Sequence, residues 1–192
     1  MARTPSVMVA LGSALPSFAL EDVVTGAVVR RDDYSGRPLL VVFTCNHCPF
    51  VIHVRPVLVA LLNEAIARSD GRLGVVALNA NDEEGYPQDG PGPMRELATS
   101  EGWAFPYLFD RAQTVARAFG AACTPDFFLY DGDHRLAYRG QLDGARPGNG
   151  VPVTGVDLRG AIDAVLDGRA PSVEQRPSLG CNIKWKAGNE PG

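Results

Sequence analysis

Residues 43–50, FTCNHCPF, place Cys45 and Cys48 at the ends of a C-x-x-C motif, with His47 between them and Pro49 directly behind. Cysteines at this spacing ligate a metal, close an inert disulfide, or shuttle between dithiol and disulfide. A structural zinc site takes four closed ligands, usually as two spaced pairs. The other two cysteines, Cys123 and Cys181, are too far apart in sequence to form a second pair. Four cysteines in 192 residues do not make a disulfide scaffold either.

The flanking elements favour redox chemistry. RPLLVVFT before the motif is a continuous apolar run, the pattern of a buried central strand. After Cys48, apolar residues recur at Val51, Val54, Val57, Leu58, Leu61, Leu62, Ala65 and Ile66, which is helical spacing. LGVVALNA then reads as a second buried strand. The cysteines therefore sit on the turn from strand into helix, in a unit expected to be parallel with a right-handed crossover. A helix N-terminus offers unpaired N–H groups and a partial positive charge. Both favour thiolate over thiol, and the thiolate is the nucleophile. Cys45, ahead of the helix, is expected to be the more exposed sulfur, and Cys48 in the first turn to capture a mixed disulfide. Pro49 suits a first helical turn. His47, if protonated, adds to thiolate stabilisation. Pro56 lies inside the helix and removes one hydrogen bond there.

The remaining chain reads as one unit. Residues 16–34 suggest a hairpin turning at Thr25-Gly26. NDEEGYPQDGPGP reads as a polar, solvated loop, its four acidic residues lacking the spacing of a calcium loop. A short helix over 93–101, a strand at YLFD and a helix at RAQTVARAFG follow. DFFLYD and RLAYRG form a second hairpin. A final helix near 155–167 has an expected apolar face of Val156, Leu158, Ile162, Val165 and Leu166. Residues 1–170 are read as one domain and 171–192 as a tail packed on it, because Ile183 and Trp185 are too apolar for a free linker. In ACTPDFF, a cis Thr124–Pro125 bond would present backbone to the redox turn.

Hydrophobic residues make up 45 % and charged residues 21 % of the chain, an ordinary globular balance. A net charge of −4 carries no nucleic-acid footprint. No apolar run is read as reaching the roughly 20 residues that span a bilayer. No membrane partner or secretory leader is expected, and the assigned location is cytoplasmic.

Strand–CxxC–helix, a TP hairpin and a last helix together resemble the thioredoxin fold. LPSFALEDVVTG resembles the opening of the redoxin branch, which includes peroxiredoxins. FTCNHCPF, CTPDFFLYD, YRGQLDGARPGNGVPVTG and PSLGCNIKWK resemble a bacterial group of peroxiredoxin-like thioredoxin-family proteins, related to alkyl hydroperoxide reductase and thiol-specific antioxidant proteins. The resemblance implies an α/β thioredoxin-like fold: a central mixed β-sheet flanked by helices, with an N-terminal β-hairpin and an extended C-terminal tail. It implies a thiol-disulfide oxidoreductase, with Cys45 as nucleophile, Cys48 as resolving thiol, and Thr124 and Pro125 facing the pair. No cofactor is implied. The implied partners are a disulfide or peroxide substrate and a dithiol electron donor such as a thioredoxin-type protein. The peroxiredoxin motif, Thr-x-x-Cys-Pro, instead aligns its peroxide-reactive cysteine with Cys48 and puts Cys45 in place of the threonine. That alignment is the alternative of a peroxidase. A further alternative is a thiolate metal or iron–sulfur protein, if all four cysteines converge. Cys123 and Cys181 are candidate auxiliary thiols, Cys181 as a resolving thiol brought in by the tail. Arg139, Asp143 and Arg146 either line a substrate-binding loop or hold that loop's own backbone.

Overall fold

The computed structural model describes residues 3–191. Its main sheet has five strands in the order β6-β5-β4-β8-β9. These are β4 (Leu39–Phe43), β5 (Gly74–Asn79), β6 (Tyr107–Phe109), β8 (Asp126–Tyr130) and β9 (Leu136–Gly140). β4, β5 and β6 run parallel, while β8 and β9 are antiparallel additions. The central mixed sheet and the strand–helix–strand unit are thus as the sequence leads one to expect.

Both faces of this sheet are covered, which is why β4 and β8 read as continuous apolar runs rather than alternating ones. Leu40, Val42, Phe127 and Leu129 face a cluster with Leu58, Leu61 and Leu62 of α1 (Pro49–Arg68) and Leu158 and Ile162 of α4 (Val156–Leu166). Leu39, Val41, Phe43 and Phe128 face the other way, onto Phe119 of α3 (Thr114–Phe119) and Ile183 of the tail. A short helix α2 (Pro91–Ser100) packs Met94 and Ala98 inward. The N-terminal hairpin is β2 (Ala19–Glu21) paired with β3 (Val28–Arg30).

Two readings are corrected here. Val156 opens α4 but is 61 % exposed, because the helix begins there and the inward stripe starts only at Leu158. α1 continues through Pro56 without interruption. Its best 18-residue window has a mean hydropathy of 1.6, so one helix does reach membrane-spanning length and apolarity. That apolarity serves the core, where Val51, Val54, Leu58, Leu61, Leu62 and Ala65 are buried.

A second sheet has the order β1-β10-β7, from Arg3–Pro5, Leu179–Asn182 and Cys123–Thr124. Its strands have two to four residues and hold together by main-chain pairing. Side-chain bonds lock the tail in place. Ser178 donates to Pro125 O at 2.6 Å, Lys184 N–H to Asn81 Oδ1 at 2.9 Å and Lys186 N–H to Gln113 Oε1 at 2.8 Å. Ile183 is buried and Trp185 half-buried against the core.

Gly180 is required by close approach. A Cβ there would lie 2.0 Å from Thr124 O and 2.6 Å from its carbonyl carbon. Both atoms belong to backbone fixed in the sheet, so they have little room to yield. Gly180→Ala is therefore expected to lower stability by about 1–3 kcal/mol through overpacking. Thermal unfolding measures this, and an unchanged midpoint would show that β10 relaxes freely.

Candidate active site

β4 carries the chain to Thr44, whose N–H bonds Leu78 O at 2.8 Å and ends the strand. The chain then turns through Cys45, Asn46 and His47. Cys48 is the N-cap of α1 and Pro49 its first residue. Both sulfurs are buried: Cys45 is 1 % exposed and Cys48 0 %. The expectation of one distinctly exposed sulfur is corrected, since the tail and the Thr124 segment cover both.

The Thr124–Pro125 peptide bond is cis. Thr124 Oγ1 lies 3.3 Å from Cys45 Sγ, and Thr124 O lies 3.2 Å from Cys48 Sγ. Cys181 on β10 pairs in register with Thr124, which brings its side chain into one cluster with Cys45, Cys48 and Val51. Three thiols therefore converge, and no disulfide joins them. Cys123 is buried beside them, its sulfur 3.7 Å from Pro125 O. Burial, then the Asp126 charge, pushes the Cys123 thiol well up.

A hydrogen bond from Cys45 is the largest influence on Cys48 and holds it down to about 4 against the cost of burial. The Cys181 side chain and the backbone N–H groups of Val51 and Cys181 add to this. The same bond holds Cys45 well above the ordinary thiol range, with burial and the Asp89 charge reinforcing it and Thr124 opposing it. Negative charge thus rests on Cys48.

The CxxC turn is fixed by a residue the sequence does not single out. Asp89 lies in the segment read as a solvated loop, yet its exposure is 0 %. Its Oδ1 accepts Asn46 N–H at 2.8 Å, and its Oδ2 accepts Asn81 Nδ2 at 2.7 Å. His47 Nδ1 lies 2.6 Å from the same Oδ2, so the proton of this contact sits on Nδ1. The loop folds inward because its polar groups bond the turn instead of water. His47 also stacks on Tyr86, with ring centroids 5.1 Å apart. Pro87 and Pro91, which begin two short helical segments around Asp89, are the local signal that this stretch is ordered.

Cys45, His47 and Asp89 bring one ligand atom each within 4.8 Å of one another, near enough that together they could hold a metal ion. Arg139, Asp143 and Arg146 are committed to their own loop and its neighbour. Arg139 donates to Gln175 Oε1 at 2.8 Å. Asp143 accepts the N–H groups of Ala145, Thr154 and Gly155 at 2.6–2.8 Å. Arg146 donates to Asp143 O, Ala145 O and Gln141 Oε1, each at 2.6 Å.

A family model described as AhpC/TSA family matches residues 11–139. The chain is 48 % identical to an uncharacterized conserved protein from Geobacillus kaustophilus, over 97 % of this chain and 98 % of that one, with a TM-score of 0.93. It is 46 % identical to a hypothetical protein from Sinorhizobium meliloti 1021, over 96 % and 100 %, with a TM-score of 0.92. A putative thiol:disulfide interchange protein DsbE from Chlorobium tepidum shares the fold, at 22 % identity, a TM-score of 0.62 and coverage of 82 % and 98 %. No curated protein matches.

Proposed function

This chain belongs to the AhpC/TSA family, and from that premise we propose that it is a thiol-disulfide oxidoreductase working through Cys45 and Cys48. The observation that carries the reading is two buried sulfurs at a helix N-terminus that both meet Thr124, whose Oγ1 lies 3.3 Å from Cys45 Sγ and whose O lies 3.2 Å from Cys48 Sγ. For reaction, the proton passes from Cys45 to Cys48. The Cys45 thiolate attacks one sulfur of a substrate disulfide and expels a thiolate, which takes up a proton. Cys48 then attacks Cys45 in the mixed disulfide, releases the second substrate thiol and leaves the Cys45–Cys48 disulfide. A dithiol donor of the thioredoxin type reduces it by exchange. The cytoplasm would supply such a donor.

A second reading rests on the low proton affinity of Cys48. There Cys48 thiolate attacks a peroxide, takes one oxygen as sulfenic acid and releases water or alcohol. Cys45 then displaces water from the sulfenic acid and forms the same disulfide.

Mixed-disulfide trapping separates the two orders. With a thiol-reactive disulfide substrate, Cys48→Ser is expected to accumulate a stable adduct on Cys45, while Cys45→Ser gives none. An adduct only on Cys48 in the Cys45→Ser protein would instead make Cys48 the attacking sulfur. Stopped-flow comparison of a peroxide with a model disulfide on the reduced protein then decides the oxidant.

A further inference from the structure

The dithiol reading leaves the third sulfur unused. Cys181 is 2 % exposed and packs in the same cluster as the pair. Its position is set by backbone, since β10 pairs antiparallel with β1 on one side and β7 on the other, in the register Cys181↔Thr124. Thr124 is also the residue that touches both sulfurs of the pair. The Cys181 side chain is hydrogen-bonded to Cys48, and its N–H points at the same sulfur. Cys45, Cys48 and Cys181 thus lie in one buried cluster, and both of the other thiols act on Cys48.

A central sulfur flanked by two others is the arrangement that thiol–disulfide exchange needs. Building on the dithiol reading above, we propose that Cys181 is a third redox thiol, which attacks Cys48 in the Cys45–Cys48 disulfide to give a Cys48–Cys181 disulfide and return Cys45 as a free thiol. The Cys48–Cys181 bond forms as the Cys45–Cys48 bond breaks. The proton leaves Cys181 and ends on Cys45. No electron enters or leaves, so no further oxidant or reductant is required. The product staples β10 to the start of α1, while Cys45 is again available beside Thr124.

The attacking and attacked sulfurs are held together by the fold, which gives an intramolecular step its high effective concentration. Burial pushes the Cys181 thiol up, to about 12, so the exchange draws on a small thiolate fraction, which that effective concentration offsets.

The test is disulfide mapping of the full chain. Reduced wild type, Cys45→Ser and Cys181→Ser are each oxidised with one equivalent of diamide, quenched in acid, digested and read by mass spectrometry. Wild type is expected to yield both the 45–48 and the 48–181 cross-linked peptides. Cys181→Ser should yield only 45–48. Cys45→Ser should lose the Cys48 and Cys181 alkylation signals together and yield 48–181. Far-ultraviolet circular dichroism checks that each variant is folded. A folded Cys45→Ser protein that keeps Cys181 alkylatable, together with a wild type showing 45–48 alone, overturns the proposal and leaves the dithiol reading intact. Absence of the 45–48 link from both wild type and Cys181→Ser sinks the dithiol reading instead.

Discussion

Replacing Cys48 by serine is expected to abolish disulfide turnover, with a loss of about 10³-fold or more. Cys48 is the sulfur common to every step drawn above. It takes up the Cys45 proton, captures the mixed disulfide, and is the attacking atom in the peroxide reading. Intramolecular capture can be worth effective molarities of about 10⁵ M and upward, and serine cannot form the disulfide. The same substitution has a spectroscopic signature. In the wild type, far-ultraviolet thiolate absorbance should reveal one thiolate per chain at neutral pH. The folded-state value for Cys48 lies below that of an ordinary thiol, so its ionised form persists as the pH falls and is lost only through about 4. Cys48→Ser should remove this step. A wild-type protein whose first thiolate appears only above neutral pH would show that the donors from Cys45, Val51 and Cys181 do not hold the charge.

Asp89→Ala is expected to give the largest loss of stability. The buried carboxylate is bonded to Asn46 N–H, Asn81 Nδ2 and His47 Nδ1. Removing it leaves three donors without their acceptor. Each such loss costs about 1–3 kcal/mol, with the low end apt for donors that water can reach. A total of about 3 kcal/mol follows, and for a chain of this size that corresponds to a drop in Tm of roughly 6–12 °C. Asp89→Asn retains the shape and one acceptor, so it should cost less. The charge effect is separable from the stability effect. Asp89 helps hold the Cys45 thiol up, so Asp89→Asn should let Cys45 ionise at lower pH. Alkylation of Cys45 in a Cys48→Ser background, followed against pH, reads this directly. An unshifted profile would mean that Asp89 only holds the turn in shape.

Much of the frame around the site was legible in the residues themselves. LLVVF before the motif and the helical spacing after it are local patterns, and local patterns follow from backbone geometry and the need to bury one face or two. They place Cys45 and Cys48 at a strand-to-helix turn, and that context, more than the cysteine spacing, separates redox chemistry from zinc binding. The DFFLYD and RLAYRG strands were legible for the same reason, flanking a short glycine-containing turn.

What the tertiary structure alone decided are the long-range contacts. Asp89 reads as one of several acidic residues in a polar loop; only the fold turns it inward to three donors that would otherwise lack a partner. β1, β7 and β10 are too short for a hydrophobic period, and their pairing is main-chain hydrogen bonding that side-chain types do not encode. Yet that pairing puts Cys181 beside Cys48. The distribution of charge within the cysteine pair follows from the same cause. It depends on donors from the turn, from α1 and from the tail strand, and groups so distant in sequence meet at one sulfur only when the chain has folded.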